Sequence, residues 1–109
     1  MYYVRKELEV SAAHKLELDY ESRCTNMHGH NWKITVFCKS DEVNQNGMVI
    51  DFKEIKKSVH AVMDHKYLND VFDFNPTAEN IAKWIVDSIP CCYRAEVEES
   101  SNNWAAYEE

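Results

Sequence analysis

The chain has 109 residues and a formal net charge of −7; 45% of its residues are hydrophobic and 28% are charged. This length predicts a single domain, residues 1–109, and the composition is typical of an ordered globular protein. The acidic balance, without a Lys/Arg-rich stripe to neutralise phosphates, argues against nucleic acid as a partner, and no apolar run is long enough to cross a bilayer.

Two segments alternate with the period of a half-buried strand. The even-numbered positions from Tyr2 to His14 are apolar apart from Lys6, and those from His28 to Cys38 repeat the pattern. The polar segment SDEVNQNG then predicts a turn, and GMVIDF predicts a third strand. Residues 28–51 are therefore expected to form a long hairpin.

Two helices follow in the prediction. Apolar residues recur at helical spacing after Asp51, which can serve as the N-cap of the first helix. The segment NPTAEN opens the second helix, with Asn75 or Thr77 as its cap, and Pro90 ends it.

A last strand, YRAEVEES, places Tyr93 and Glu99 on its apolar face, and WAAY is a candidate short end piece. The order of elements predicts an α+β fold: a four-stranded antiparallel sheet with two helices on one face.

Three histidines continue the apolar faces of the two long strands. His14 does so on the first strand, and His28 and His30 do so on the second. Because side chains two residues apart share a face of a strand, the three imidazoles can meet around one ion. Three His ligands with an open fourth position are typical of a catalytic Zn²⁺ site, although imidazole also suits iron, copper and nickel. The alternative is that each histidine only forms hydrogen bonds near the core.

The cysteines divide by their surroundings. The start of the chain, MYYVRKELEV, lacks the apolar block of a signal peptide, so we expect a cytoplasmic protein whose four cysteines are free thiols. Cys24 lies in the polar stretch DYESRCTNM, where a thiol has little reason to pack. As a thiolate it could accept a proton beside the metal. The alternatives are an ordinary loop cysteine or the fourth ligand of a closed His₃Cys site.

Three further side chains are candidates for chemistry. Asp64 and His65 follow the first helix, where a carboxylate could orient a proton-transferring imidazole; the alternative is a solvated helix end. Glu99 lies on the apolar face of the last strand, where a ligand with adjacent N–H groups would bond it; otherwise it bonds to backbone. His60 is interpreted as a surface residue.

Six motifs occur in a characteristic order: VSAAHKL, CTNMHGHNW, GMVIDF, DHKYLN, NPTAENIA and E-x3-NWAAY. Together they resemble the 6-pyruvoyltetrahydropterin synthase and 6-carboxytetrahydropterin synthase family over nearly the whole chain. The three residues between Cys24 and His28 resemble the carboxy-forming members of queuosine biosynthesis, since the pyruvoyl-forming members have longer spacing there.

The resemblance implies a T-fold whose subunits join their sheets into a barrel, as trimers or hexamers of identical chains. It implies a Zn²⁺-dependent lyase that converts 7,8-dihydroneopterin triphosphate to 6-carboxy-5,6,7,8-tetrahydropterin, releasing acetaldehyde and triphosphate. The three histidines would be the Zn²⁺ ligands and Cys24 the proton acceptor. Asp64 and His65 would relay a proton, and Glu99 would anchor the pterin. Two other functions stay open: 6-pyruvoyltetrahydropterin synthase activity, and a non-catalytic module that binds zinc or pterin.

Overall fold

Two long antiparallel strands form the centre of the sheet, β1 (Tyr2–His14) and β2 (His28–Ser40). The computed structural model describes residues 1–109. The two strands pair along their whole length, and His14 lies directly opposite His28 at the end of the ladder. This register brings the candidate ligands of the two strands to one end of the sheet.

Three shorter strands complete the sheet, β3 (Lys66–Tyr67), β4 (Cys92–Ser100) and β5 (Asn103–Glu108). β4 pairs antiparallel with β2 and β5 with β4, whereas β3 pairs parallel with β1. The strand order is β3-β1-β2-β4-β5. The α+β fold is confirmed, but the sheet is mixed and has five strands rather than four antiparallel ones.

The helices are α1 (Phe52–Met63), α2 (Leu68–Val71) and α3 (Ala78–Ser88), and Arg23–Thr25 forms a single 3₁₀ turn. The two predicted helices, α1 and α3, are confirmed together with their caps. Asp51 accepts from the Lys53 amide and Thr77 from the Asn80 amide. α2 is a single turn that the sequence pattern did not reveal. None of the helices combines the length and hydropathy needed to span a membrane.

The core lies between the helices and the even-numbered face of β1 and β2. The period of two predicted for these strands is confirmed, because Leu8, Val10, Trp32 and Ile34 are all buried. Other large side chains that are fully buried are Val36, Ile55, Val59, Met63, Leu68, Ile81, Ile85 and Val97.

The predicted strand GMVIDF is wrong. Residues 47–51 form turns and bends, and Val49 and Ile50 pack against the core without pairing to a strand. Gly47 provides the left-handed residue of the turn, with φ +81°. The physical reason is that β1 and β4 occupy both edges of β2, so no edge remains for a hairpin partner.

Two register shifts interrupt the ladders of β4. The register with β2 shifts between Phe37 and Cys38, and Tyr93 packs its ring against Tyr3 and Phe37 on the outer face. The predicted inward position of Tyr93 is therefore wrong. A second shift, between Glu98 and Ser100 in the β4–β5 ladder, leaves Glu99 without a partner there.

Candidate metal and catalytic site

Four side chains meet where β1 ends and β2 begins. The metal-binding atoms of His14, His28, His30 and Glu99 all lie within 4.8 Å of one another. The three imidazole rings have centroids 4.5, 5.2 and 4.8 Å apart. The structure thus brings together three residues from two strands of the central ladder and one from the bulged end of β4.

Hydrogen bonds determine which ring nitrogen faces the centre. His14 Nδ1 lies 2.8 Å from the Pro76 carbonyl oxygen, and His28 Nδ1 lies 2.7 Å from the Asn26 carbonyl oxygen. A carbonyl only accepts, so each Nδ1 carries the proton and each Nε2 presents a lone pair. Metal-bound histidines commonly donate their other N–H to a carbonyl in this way.

The inward nitrogens lack protein partners. Nε2 of His14 and Nε2 of His30 are buried and have no hydrogen bond. The Glu99 Oε1 atom is 2.9 Å from Nε2 of His30, 3.6 Å from that of His14 and 3.9 Å from that of His28. The shortest of these contacts, between Glu99 Oε1 and His30 Nε2, is not aligned as a hydrogen bond, so His30 Nε2 remains without a hydrogen-bond partner. These residues could hold a metal ion, and three imidazoles with a carboxylate suit Zn²⁺.

The electrostatics favour neutral imidazoles. Burial lowers the pKa of His14, although the hydrogen bond to Pro76 and the Glu99 carboxylate oppose the shift. Burial also lowers the pKa of His30, again opposed by Glu99, and the neighbouring His28 lowers it further. A neutral imidazole is the form that binds a metal ion, so both shifts favour binding at neutral pH.

Trp32, which was not among the predicted site residues, lies beneath the histidines. Trp32 is fully buried, and its ring meets those of His14 and His30 edge to face, with centroids 4.8 and 5.3 Å apart. Its indole N–H donates to the Ala12 carbonyl oxygen at 3.2 Å. The sequence could have indicated this residue, because Trp32 follows His30 by two positions in HGHNW and therefore shares a strand face with both histidines.

Cys24 lies in the 3₁₀ turn, half-buried, and is not a member of the four-residue cluster. Its carbonyl oxygen accepts a hydrogen bond from the Leu16 amide at 2.6 Å, which ties the turn to the residues that follow His14. The fourth side chain at the histidines is Glu99, so the closed His₃Cys alternative is not the arrangement found.

Two asparagines, also not foreseen, hold the segment after His14. Asn69 bonds both the amide and the carbonyl of Lys15, at 2.9 Å each. Asn75 does the same for Glu17, at 2.9 and 3.0 Å. The side chain of Asn75 therefore binds the backbone of Glu17 and does not cap α3. The position of Asn75 directly before Pro76 in NPTAEN was the feature of the sequence that could have indicated this role.

Asp64 and His65 lie beside β1, because β3 pairs with Ala12 and Ala13. Asp64 Oδ1 accepts from the Ser11 amide at 3.1 Å, and its Oδ2 is 3.6 Å from His65 Nε2. The His65 backbone is left-handed, with φ 57°, and its amide donates to the Ser11 carbonyl oxygen at 2.7 Å.

His65 also lines an open cavity beside the outer, odd-numbered face of the β1–β2 ladder, and His30 is the one member of the metal-binding cluster that borders it. The cavity, of about 550 Å³, is lined by His65 and His30, together with Ser11, Asn31 and Tyr67. The predicted pair of Asp64 and His65 is thus in contact, and its imidazole shares a cavity with one of the candidate ligands.

Comparison with known proteins identifies the family. Residues 3–109 match the model of 6-pyruvoyl tetrahydropterin synthase. The chain belongs to the 6-pyruvoyl tetrahydropterin synthase family. Among its relatives in this family, it is 33% identical to a 6-carboxy-5,6,7,8-tetrahydropterin synthase of Synechocystis, over 98% of this chain and 93% of the other.

Two further relatives show how the family varies. The chain is 37% identical to a dihydroneopterin monophosphate aldolase of Pyrococcus furiosus, over 72% of this chain and 66% of the other. The solved 6-pyruvoyl tetrahydropterin synthase of Caenorhabditis elegans superposes with a TM-score of 0.78 and 25% identity, covering 99% of this chain and 95% of that one. The family of pterin-synthesising lyases and its α+β fold are thereby established for this chain.

Proposed function

We propose that this protein is a Zn²⁺-dependent carbon–carbon lyase that converts 7,8-dihydroneopterin triphosphate to 6-carboxy-5,6,7,8-tetrahydropterin. Acetaldehyde and triphosphate are the other products, and the product serves queuosine or a related 7-deazapurine. The name of the Synechocystis relative supports this reaction, as does the three-residue spacing between Cys24 and His28.

The convergence of three histidine Nε2 atoms is the observation on which the proposal depends. His14, His28 and His30 would be the ligands, since at least two of them are oriented by Nδ1–H bonds to carbonyl oxygens. A bound Zn²⁺ would supply Lewis-acid stabilisation of the negative charge that develops when a carbon–carbon bond breaks.

The proton transfers are assigned to three side chains. Cys24, as thiolate, takes a proton from the substrate, and His65 returns one. Asp64 is assigned to orient His65, and the 3.6 Å between Asp64 Oδ2 and His65 Nε2 supports this pairing. The cavity that borders both His65 and His30 supports a substrate position close to the relay.

Glu99 is assigned to the pterin. Its carboxylate accepts two adjacent N–H groups of the ring and so determines which substrate atom faces the histidines. The partly exposed side chain, 2.9 Å from His30 Nε2, supports a pterin position directly against the metal ligands.

The open sheet supports a homo-oligomer. The outer edge of β1 is paired only at Ala12 and Ala13, and β5 has a partner on one side alone. Unpaired edges of this length favour pairing with further copies, so we propose a barrel formed by a trimer or hexamer. We further propose that residues 1–109 act as one catalytic domain in the cytoplasm, and the single core supports the domain assignment.

The experiment is product analysis. Purified protein loaded with Zn²⁺ is incubated with 7,8-dihydroneopterin triphosphate, and acetaldehyde, pterin products and triphosphate are measured by mass spectrometry and coupled assay. We expect acetaldehyde and the 6-carboxy pterin in equal amounts. The His28→Ala variant, which lacks one ligand, is the matched control and should yield neither.

The other outcomes identify the alternatives. Triphosphate release without acetaldehyde would identify a 6-pyruvoyltetrahydropterin synthase. Carbon–carbon cleavage of dihydroneopterin monophosphate, with the triphosphate left unreacted, would identify an aldolase like the Pyrococcus furiosus relative. Absence of turnover with every substrate, despite bound zinc and pterin, would identify a non-catalytic binding module.

A further inference from the structure

His60 occupies a half-buried position on α1 that the sequence analysis did not predict. Its side chain is 27% exposed, and its Nε2 atom is buried without a hydrogen-bond partner. Residues four apart share a face of a helix, and His60 Nδ1 lies 3.6 Å from Asp64 Oδ2. The interpretation of His60 as a surface residue is therefore wrong.

The Asp64 carboxylate is divided between two kinds of partner. Oδ1 is held by the Ser11 amide at 3.1 Å. Oδ2 faces two imidazoles at 3.6 Å each, Nδ1 of His60 on one side and Nε2 of His65 on the other. One carboxylate oxygen thus links a half-buried helical histidine to the exposed histidine of the cavity.

The two imidazoles differ in how firmly the fold holds them. His65 is 82% exposed, so little packing restrains its ring, and its Nε2 atom lies 3.6 Å from Asp64 Oδ2. His60 is only 27% exposed on α1, and it lines a cavity between α1 and β1 together with Lys6, Glu7, Leu8, Glu9 and Lys56. His60 is therefore the more firmly held of the two imidazoles, and Asp64 lies between it and His65.

We propose that His60 is a positioning residue of the proton relay. Its Nδ1 atom lies 3.6 Å from Asp64 Oδ2, longer than a direct hydrogen bond, and this close contact keeps the carboxylate turned so that the same oxygen faces His65. The proposal places the ring proton on Nδ1, the nitrogen nearer the carboxylate, and leaves the buried Nε2 as the bare nitrogen, which agrees with its lack of an acceptor. The inference rests on the proposed role of Asp64 and His65 in proton transfer.

The kinetic test distinguishes the effect of the His60 N–H donor on kcat from the effect of the volume of its side chain. We expect His60→Ala to lower kcat about tenfold, a part of the roughly 10²–10⁴-fold that a general acid contributes, with KM and zinc content unchanged. His60→Asn, whose amide N–H can replace the Nδ1–H, should restore most of kcat. His60→Phe, which fills the space without a donor, should not. Lys57→Ala, an exposed change on the same helix, is the matched control.

A restored kcat in His60→Phe would show that His60 only fills space, and an unchanged kcat in His60→Ala would show that the relay does not need it. Either result overturns the proposal.

A second measurement does not depend on turnover. Long-range ¹H–¹⁵N NMR spectra assign the proton on each histidine ring, and we expect the Nδ1–H tautomer for His60 in the wild type and its loss in Asp64→Ala. An Nε2–H tautomer in the wild type, or a spectrum unaffected by Asp64→Ala, would overturn the proposal. If the wild type shows the expected tautomer but no lyase activity, the proposed function fails while the contact stands.

Discussion

His14 Nδ1 donates a hydrogen bond of 2.8 Å to the carbonyl oxygen of Pro76, which lies 62 residues away in the chain. This bond links the end of β1 to the residue before the N-cap of α3. It also leaves the lone pair of His14 Nε2 directed at His28, His30 and Glu99. The orientation of the candidate ligand thus depends on the approach to a helix as well as on its own strand.

Asn75 should stabilise this approach. Asn75→Ala removes two hydrogen bonds to the backbone of Glu17, and we expect the free energy of unfolding to fall by about 1–2 kcal/mol. Zinc affinity should fall as well, because the neighbouring Pro76 carbonyl holds His14. Chemical denaturation and zinc titration measure the two effects. As a control, Asn46→Ala changes an exposed turn residue away from the site; an equal loss of zinc affinity there would contradict this prediction.

Removing a ligand should remove the metal without unfolding the chain. His28 is only partly buried, so His28→Ala is expected to leave the circular dichroism spectrum unchanged. Zinc affinity should fall about 100-fold or more, since loss of even an outer-shell partner costs roughly 10–100-fold. Elemental analysis after dialysis measures the bound zinc. Full retention of zinc would show that the three histidines do not bind it together.

Cys24 should affect turnover and not metal binding. Cys24→Ala is expected to lower kcat about 1,000-fold, in the range of general acid–base catalysis, with zinc content unchanged. The exposed Cys91 provides the matched control, because Cys91→Ala removes a thiol elsewhere on the surface. Joint loss of zinc and activity in Cys24→Ala would instead indicate that its sulfur is a ligand.

Glu99 should affect substrate binding. Glu99→Gln retains the size of the side chain but loses the charge that accepts two pterin N–H groups, so we expect KM to rise about 10-fold or more. Zinc content should stay at the wild-type value. Steady-state kinetics and elemental analysis distinguish the roles: loss of zinc with unaltered KM would make Glu99 a metal ligand.

The lowered pKa values of His14 and His30 predict how pH affects the metal-free protein. Both groups bind protons more weakly in the folded state than in the unfolded chain. Their contribution to stability is therefore complete above about pH 6.5, the ordinary histidine pKa, and is lost as pH falls below it toward the folded values.

Urea unfolding of chelator-treated protein between pH 7.5 and 5 measures this loss. We expect the pH dependence to be weaker in His14→Gln, which lacks one buried imidazole, than in the wild type. The exposed Asn46 supplies the control, since Asn46→Ala removes no titrating group and should keep the wild-type slope. Equal slopes in His14→Gln and the wild type would contradict the prediction.

Residues near in sequence were predicted most reliably. Alternation along β1 and β2 is a local property, so it placed Trp32 and the histidines on one face, and the caps Asp51 and Thr77 were predicted from the residues beside them. The prediction of a third strand failed because pairing depends on which edges are free, and β4, which lies much later in the chain, occupies the second edge of β2.

The contacts of Asp64 and His65 could not be predicted from the sequence for the same reason. Asp64 and His65 were predicted as a pair, but β3 had to add to β1 before Ser11 could bond them. His60 was interpreted as one of the exposed positions of its helix, and only the packing of α1 against the sheet buried its Nε2.

By itself, the sequence determined which side chains share a face, because the repeat of a strand or helix depends on neighbouring residues alone. It thereby predicted the convergence of His14, His28 and His30. Only the tertiary structure decided which lone pairs meet, that Glu99 rather than Cys24 joins them, and that His60 contacts Asp64. Those outcomes depend on hydrogen bonds and strand pairings between distant segments, whose geometry exists only once the whole chain has folded.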